Sequence, residues 1–139
     1  MGIEENKAKI LLHLEMFNEG KVELADDLIS PDFVFHIPGG GEVKGPEGFK
    51  QMVLMTRNAL PDLHYDLDGM VAEGDWVVAR YTLNATHTGD FLGVPATGKK
   101  FTLKAAYCYR FENGKEVEDI SYGDMLAFYQ QIRVIPQIN

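Results

Sequence analysis

Apolar positions recur at helical spacing through the first third of the chain. Ile3, Ile10, Leu11, Leu14 and Phe17 make one stripe, and Gly20 follows as a C-terminal stop. Val22, Leu24, Ala25, Leu28 and Ile29 predict a short second helix, ended by Ser30-Pro31. Asp32 to Ile37 reads as a strand closed by Pro38 and a glycine run. Pro46 suits the first turn of a third helix, whose face carries Phe49, Met52, Val53 and Ala59 before Leu60-Pro61.

Beyond that point the period changes from 3.6 to 2. Leu63, Tyr65, Leu67 and Val71 alternate, and Gly74-Asp75 turns the chain. Val77, Ala79, Tyr81, Leu83 and Ala85 alternate with polar residues, and a glycine-containing loop follows. Phe101, Leu103, Ala105, Tyr107, Tyr109 and Phe111 form the longest alternation, ended by the hairpin signal Asn113-Gly114. Val117 to Gly123 reads as the last long strand, and Met125 to Ile132 as a closing helix or a strand. Helices segregated from antiparallel strands predict an α+β domain. A long twisted sheet wrapped over three N-terminal helices predicts a cone with an apolar mouth.

Composition narrows the function. The 139 residues suit a single domain, residues 1–139, and 45% apolar content suits a folded core. The net charge of −8 disfavours phosphate backbones and anionic bilayers, so neither nucleic acid nor membrane is an expected partner. Glu4, Glu5 and Glu15 among the first residues are wrong for a secretory signal, and the cytoplasm is the expected address. Cys108 is the only cysteine, which excludes an internal disulfide and a cysteine-based zinc site.

Phosphate-loop, nucleophile-elbow and zinc-protease motifs are absent. His13, His36, His64 and His87 lack metal-ligand spacing, so no metal or cofactor is expected. Tyr81, Tyr107 and Tyr109 share parity with apolar neighbours. They are either satisfied core tyrosines or phenols aimed at a ligand oxygen. Asp124 shares parity with Ile120 and Tyr122. On an apolar face it would be a desolvated general base, but before Met125-Leu126 it equally suits a helix N-cap. His36 reaches the cavity if Val34 faces the core and solvent if Phe33 and Phe35 do. His13 lies at the edge of the first helix's apolar stripe, and His87 stands where it can shape the following loop.

The runs Asn18-Glu19-Gly20, Ala25 to Phe33, Gly45 to Phe49, Leu60 to Leu63, Thr86 to Lys99 and Arg110 to Lys115, with Asp124, resemble the SnoaL-like polyketide cyclases. The likeness spans about Asn6 to Ile132. It implies the cone-shaped α+β barrel of the nuclear transport factor 2-like superfamily. It also implies intramolecular aldol ring closure without cofactor or metal. The family's base is an aspartate near the end of the last long strand, and Asp124 matches it. His13 stands where a tyrosine often lines the family pocket, and Arg110 where an assisting histidine does. Tyr122 or Ile120 occupies the region of a family tryptophan.

The expected function is therefore a cofactor-independent cyclase or isomerase acting on a small apolar carbonyl compound, with Asp124 and His36 as catalytic candidates. A non-catalytic small-molecule binding protein is the alternative, and epoxide hydrolysis comes next. The expected pocket draws on His13, Phe17, Val34, Met52, Tyr81, Leu83, His87, Leu103, Tyr107, Tyr109, Arg110 and Tyr122. Thr82, Asn84, Thr102, Ala106 and Cys108 make an only mildly polar outer sheet face, which predicts a homodimer through that face.

Overall fold

A computed structural model describes residues 2–38 and 40–134. Helix α1 spans Ile3–Glu19 and ends at Gly20, whose φ of +74° supplies the expected left-handed stop. A 3₁₀ turn, Val22–Leu24, runs into the single-turn helix α2, Ala25–Leu28. Strand β1 is Ile29–His36, β2 is Glu42–Lys44, and helix α3 is Gly45–Ala59 with its proline in the first turn. Strands β3 (His64–Glu73), β4 (Trp76–Thr86), β5 (Lys100–Glu112) and β6 (Lys115–Gly123) follow, and helix α4 (Met125–Gln131) comes last.

One six-stranded sheet has the order β2-β1-β6-β5-β4-β3. Every pair is antiparallel except β1 with β6. Asn113 and Gly114 both take positive φ, 50° and 76°, as a tight β5–β6 hairpin requires. The inner face of the sheet packs against α1 and α3. Phe49 at the centre meets the rings of His13, Phe17, Phe33 and Phe35.

The alternations of β4 and β5 point inward as read from the sequence. Three other stripes differ. On α1 the buried face is Asn6, Ile10, His13, Met16 and Phe17, while Leu11 is exposed, so two polar residues lie inside the stripe. On β3 the register shifts between Leu67 and Gly69, which turns Val71 outward. On β1 the inward residues are Phe33 and Phe35. Val34 and His36 therefore lie on the outer side, and the pocket placement expected of both is corrected.

Gly89 positions the loop between β4 and β5. Its N–H donates to the Ala59 carbonyl at 2.8 Å, and a Cβ there would stand 2.9 Å from the Ala59 Cα. Only glycine lets this loop rest on the end of α3. His87, fully buried, holds the same loop through Thr97 Oγ1 at 3.0 Å and the Val94 carbonyl at 3.1 Å.

Candidate active site

A cavity of about 390 Å³ opens between α3, the inner sheet face and the Gly89 loop. Its walls are mostly apolar: Phe17, Phe35, Phe49, Met52, Leu103 and Phe91 contribute, and Met125 closes one side. The polar lining includes Asp119, Ser121, Tyr65 and Tyr107 on the sheet, with Gln51, Thr56 and Asp90 from α3 and the loop. An apolar chamber with a few convergent polar groups is the usual form of a small-molecule site.

Unlike the exposed Asp90, Asp119 is the buried carboxylate of this chamber. It lies on β6 opposite Tyr109, is 1% exposed, and neither of its carboxylate oxygens has a hydrogen-bond partner. Burial, and secondarily the charge of Glu116, push its carboxyl well above the ordinary carboxylate range. Tyr107 lines the chamber opposite Ser121 on the β5–β6 ladder. Burial holds the Tyr65, Tyr107 and Tyr109 phenols above their ordinary range, so they remain O–H donors at neutral pH. Tyr81 and Tyr109 share a hydroxyl hydrogen bond of 3.0 Å below the chamber.

Behind Asp119 lie His13 and Glu116. His13 Nδ1 is 3.0 Å from Glu116 Oε2, and both residues are buried. Glu116 Oε1 has no partner. Ligand atoms of His13, Glu116 and Asp119 lie within 4.8 Å of one another, so this trio has the donors that a metal ion would need.

The expected base is elsewhere. Asp124 is exposed, and its Oδ1 accepts from the Ala127 N–H at 3.1 Å as the N-cap of α4. Its carboxylate is taken by the helix end and does not reach the chamber. Its parity partner Tyr122 is 62% exposed. The β6 side chains that line the chamber are Asp119 and Ser121, the opposite parity. The apolar Ile120 and Tyr122 had marked the wrong face. Replacing Asp124 by Ala should cost about 1 kcal/mol of stability. Urea denaturation checks this, and ligand binding in the chamber should be unchanged.

The remaining candidates divide. Phe17, Met52, Leu103 and Tyr107 line the chamber. His13, Tyr81 and Tyr109 lie one layer behind, around a much smaller void. Leu83 is core, and His87 serves the loop. Arg110 and His36 belong to an outer ion cluster with Glu118, at 3.1 and 2.9 Å, rather than to the pocket. Partial burial pushes Glu118 up, but the bonds from Arg110 and His36 outweigh it and hold the carboxyl below its usual range. Asp119, Ser121, Glu116 and Tyr65 were missed. On β6 the polar Asp119 and Ser121 alternate with the more apolar Ile120 and Tyr122, so period alone gives no signal that the polar pair faces a cavity.

A family model described as SnoaL-like polyketide cyclase matches residues 9–132. The chain is 29% identical over 125 residues to the aklanonic acid methyl ester cyclase DauD of Streptomyces sp. (strain C5), covering 86% of this chain and 76% of that protein. It is 26% identical over 118 residues to the nogalonic acid methyl ester cyclase of Streptomyces nogalater, covering 84% and 88%. Among solved structures, TsrD from Streptomyces laurentii superposes with a TM-score of 0.86 at 25% identity, covering 97% of this chain and 99% of that one.

Proposed function

Because the chain belongs to the SnoaL-like polyketide cyclase family, we propose that it closes a ring in an aromatic polyketide methyl ester by intramolecular aldol condensation. Asp119 acts as the base, in place of the Asp124 read from the sequence. The observation that carries this is a buried, unpartnered carboxylate at the wall of an apolar chamber. In its ionised form Asp119 takes the acidic proton next to the ester carbonyl, and the C–H electron pair moves into an enolate. The enolate carbon then bonds to a ketone carbon of the same molecule. The resulting alkoxide recovers the proton from Asp119. Tyr107 and Ser121 hydroxyls supply donors for the developing oxyanion.

The named relatives suggest the probe. The purified protein should convert aklanonic acid methyl ester to a ring-closed isomer of equal mass, read by chromatography and mass spectrometry. In deuterated water the acidic carbon should exchange its proton even where closure is slow. Binding without exchange or closure would favour the non-catalytic carrier instead.

Two expectations travel with this proposal. The protein acts in the cytoplasm, and no described helix is long and apolar enough to cross a membrane. It pairs with a second copy through the outer face that carries Thr82, Asn84, Thr102, Ala106 and Cys108. Light scattering at micromolar concentration should give twice 15.6 kDa. A mass of one chain would remove the dimer.

A further inference from the structure

The chain builds one kind of two-residue turn twice. At the β5–β6 hairpin Asn113 and Gly114 take φ of 50° and 76°, and in the loop between β4 and β5 Leu92 and Gly93 take 51° and 78°. Phe91 and Val94 close the second turn, each N–H donating to the other's carbonyl at 3.0 Å. Two successive left-handed residues favour asparagine followed by glycine. Asparagine tolerates positive φ because its short polar side chain bonds to nearby backbone, and glycine because it has no Cβ. Leucine has neither property. Asn113 follows the rule at an exposed hairpin tip, and Leu92 breaks it.

Nothing in the turn itself calls for leucine. Other groups fix the loop: Gly89 bonds Ala59, and His87 bonds Thr97 and Val94. The Phe91 ring stacks on Phe101 at 6.1 Å and meets Phe128 edge to face at 5.7 Å. What leucine adds is an apolar side chain in the chamber wall, which Asn113 does not touch. Leu92 is half-buried, and Asp90 and Gly93 on either side of it are exposed, so it stands at the chamber mouth. The inner end is the fully buried Phe49. A residue held in a disfavoured backbone region beside a cavity points to function there.

We propose that Leu92 is a specificity-determining residue: its left-handed turn holds the side chain against the outer ring of a fused-ring ligand and so favours ligands long enough to reach from the inner wall to the mouth. This rests on the reading of the chamber as the substrate site, and not on which group is the base. Met52 and Met55 of α3 line the same chamber, but their unbranched, flexible side chains adapt to whatever lies beside them. Leu92 is placed by its backbone, and the loop anchors keep that backbone where it is. It is therefore a contact that discriminates by length, where the methionines are contacts that accommodate.

The experiment is equilibrium dialysis with two neutral aromatic esters, the two-ring methyl 2-naphthoate and the three-ring methyl anthraquinone-2-carboxylate, paired with thermal melting of each variant. Neither readout depends on whether the protein cyclises anything. The unmodified protein should bind the three-ring ester more tightly. Leu92→Ala should weaken that ester about tenfold, since three apolar carbons leave the contact, and the two-ring ester by no more than about twofold. Leu92→Met, which keeps the apolar length, should retain most of the preference. Leu92→Asn should lose the preference as alanine does, yet melt no lower than the unmodified protein, because asparagine suits the left-handed turn. Both esters weakened equally by Leu92→Ala, or neither weakened, would overturn the proposal and leave the chamber as a ligand site. So would a Leu92→Asn protein that melts well below the unmodified one, since Leu92 would then be a packing residue of the loop. An unmodified protein that binds neither ester, or prefers the smaller, would overturn it too, and binding of neither would take the substrate reading with it. If Asp119→Asn retained full closure, the base reading would fail while the Leu92 result stood.

Discussion

Asp119→Asn should lower the rate of ring closure by roughly 10²- to 10⁴-fold, the usual contribution of a positioned acid–base group. Asparagine keeps the shape and volume of the side chain but cannot hold the proton. Binding of the ester should change much less, so the loss should fall on kcat rather than KM. Stability should move the other way. The folded-state proton affinity of Asp119 is raised above its unfolded value of about 3.8. The native state therefore holds a proton that the unfolded chain releases, and stability contributed at low pH is lost as pH rises toward the folded value. The amide has no such penalty. Urea midpoints of the variant and the unmodified protein should differ least below pH 4 and increasingly favour the variant at higher pH. A variant both inactive and less stable across the whole pH range would place Asp119 in the structure rather than in the chemistry.

The largest stability effect should come from Phe49→Ala, at about 3–5 kcal/mol. Phe49 is 0% exposed and stands in contact with four other rings. Those rings come from α1 and β1, so the gap left by alanine cannot be closed by one element moving. Phe49 also lines the chamber, and His13 leans on its ring. The cavity should widen and the His13–Glu116 contact should loosen. Chemical denaturation measures the stability loss. Leucine at this position, which keeps more of the volume, should cost less, and the ordering of the two variants tests the packing argument.

Much of the fold could be read from residue pattern. The alternations of β4 and β5, the Asn113-Gly114 hairpin, the Gly20 stop and the proline opening α3 all act through local sterics and period, and the sequence displays these directly. The short strand β2 and the parallel β1–β6 pairing were not legible, since both depend on which segment lies alongside. The closing segment, open between helix and strand, is a helix because Asp124 caps it and Phe128 is buried.

The site was legible only in part. Phe17, Met52, Leu103 and Tyr107 follow from apolar stripes, and the structure brings them to one chamber. The carboxylate was misplaced by parity. On β6 the outward residues Ile120 and Tyr122 are the more apolar, and the inward Asp119 and Ser121 the more polar. Period alone takes the apolar face for the inner one, and a strand that lines a chamber reverses that assumption. What the sequence by itself determined is the order of the long helices and strands, the acidic charge, the absence of an internal disulfide and the family. The tertiary structure alone decided which aspartate enters the cavity, because pairing with β5 turns Asp119 inward beside Tyr109 and a helix cap takes Asp124, and neither leaves a periodic trace along the chain.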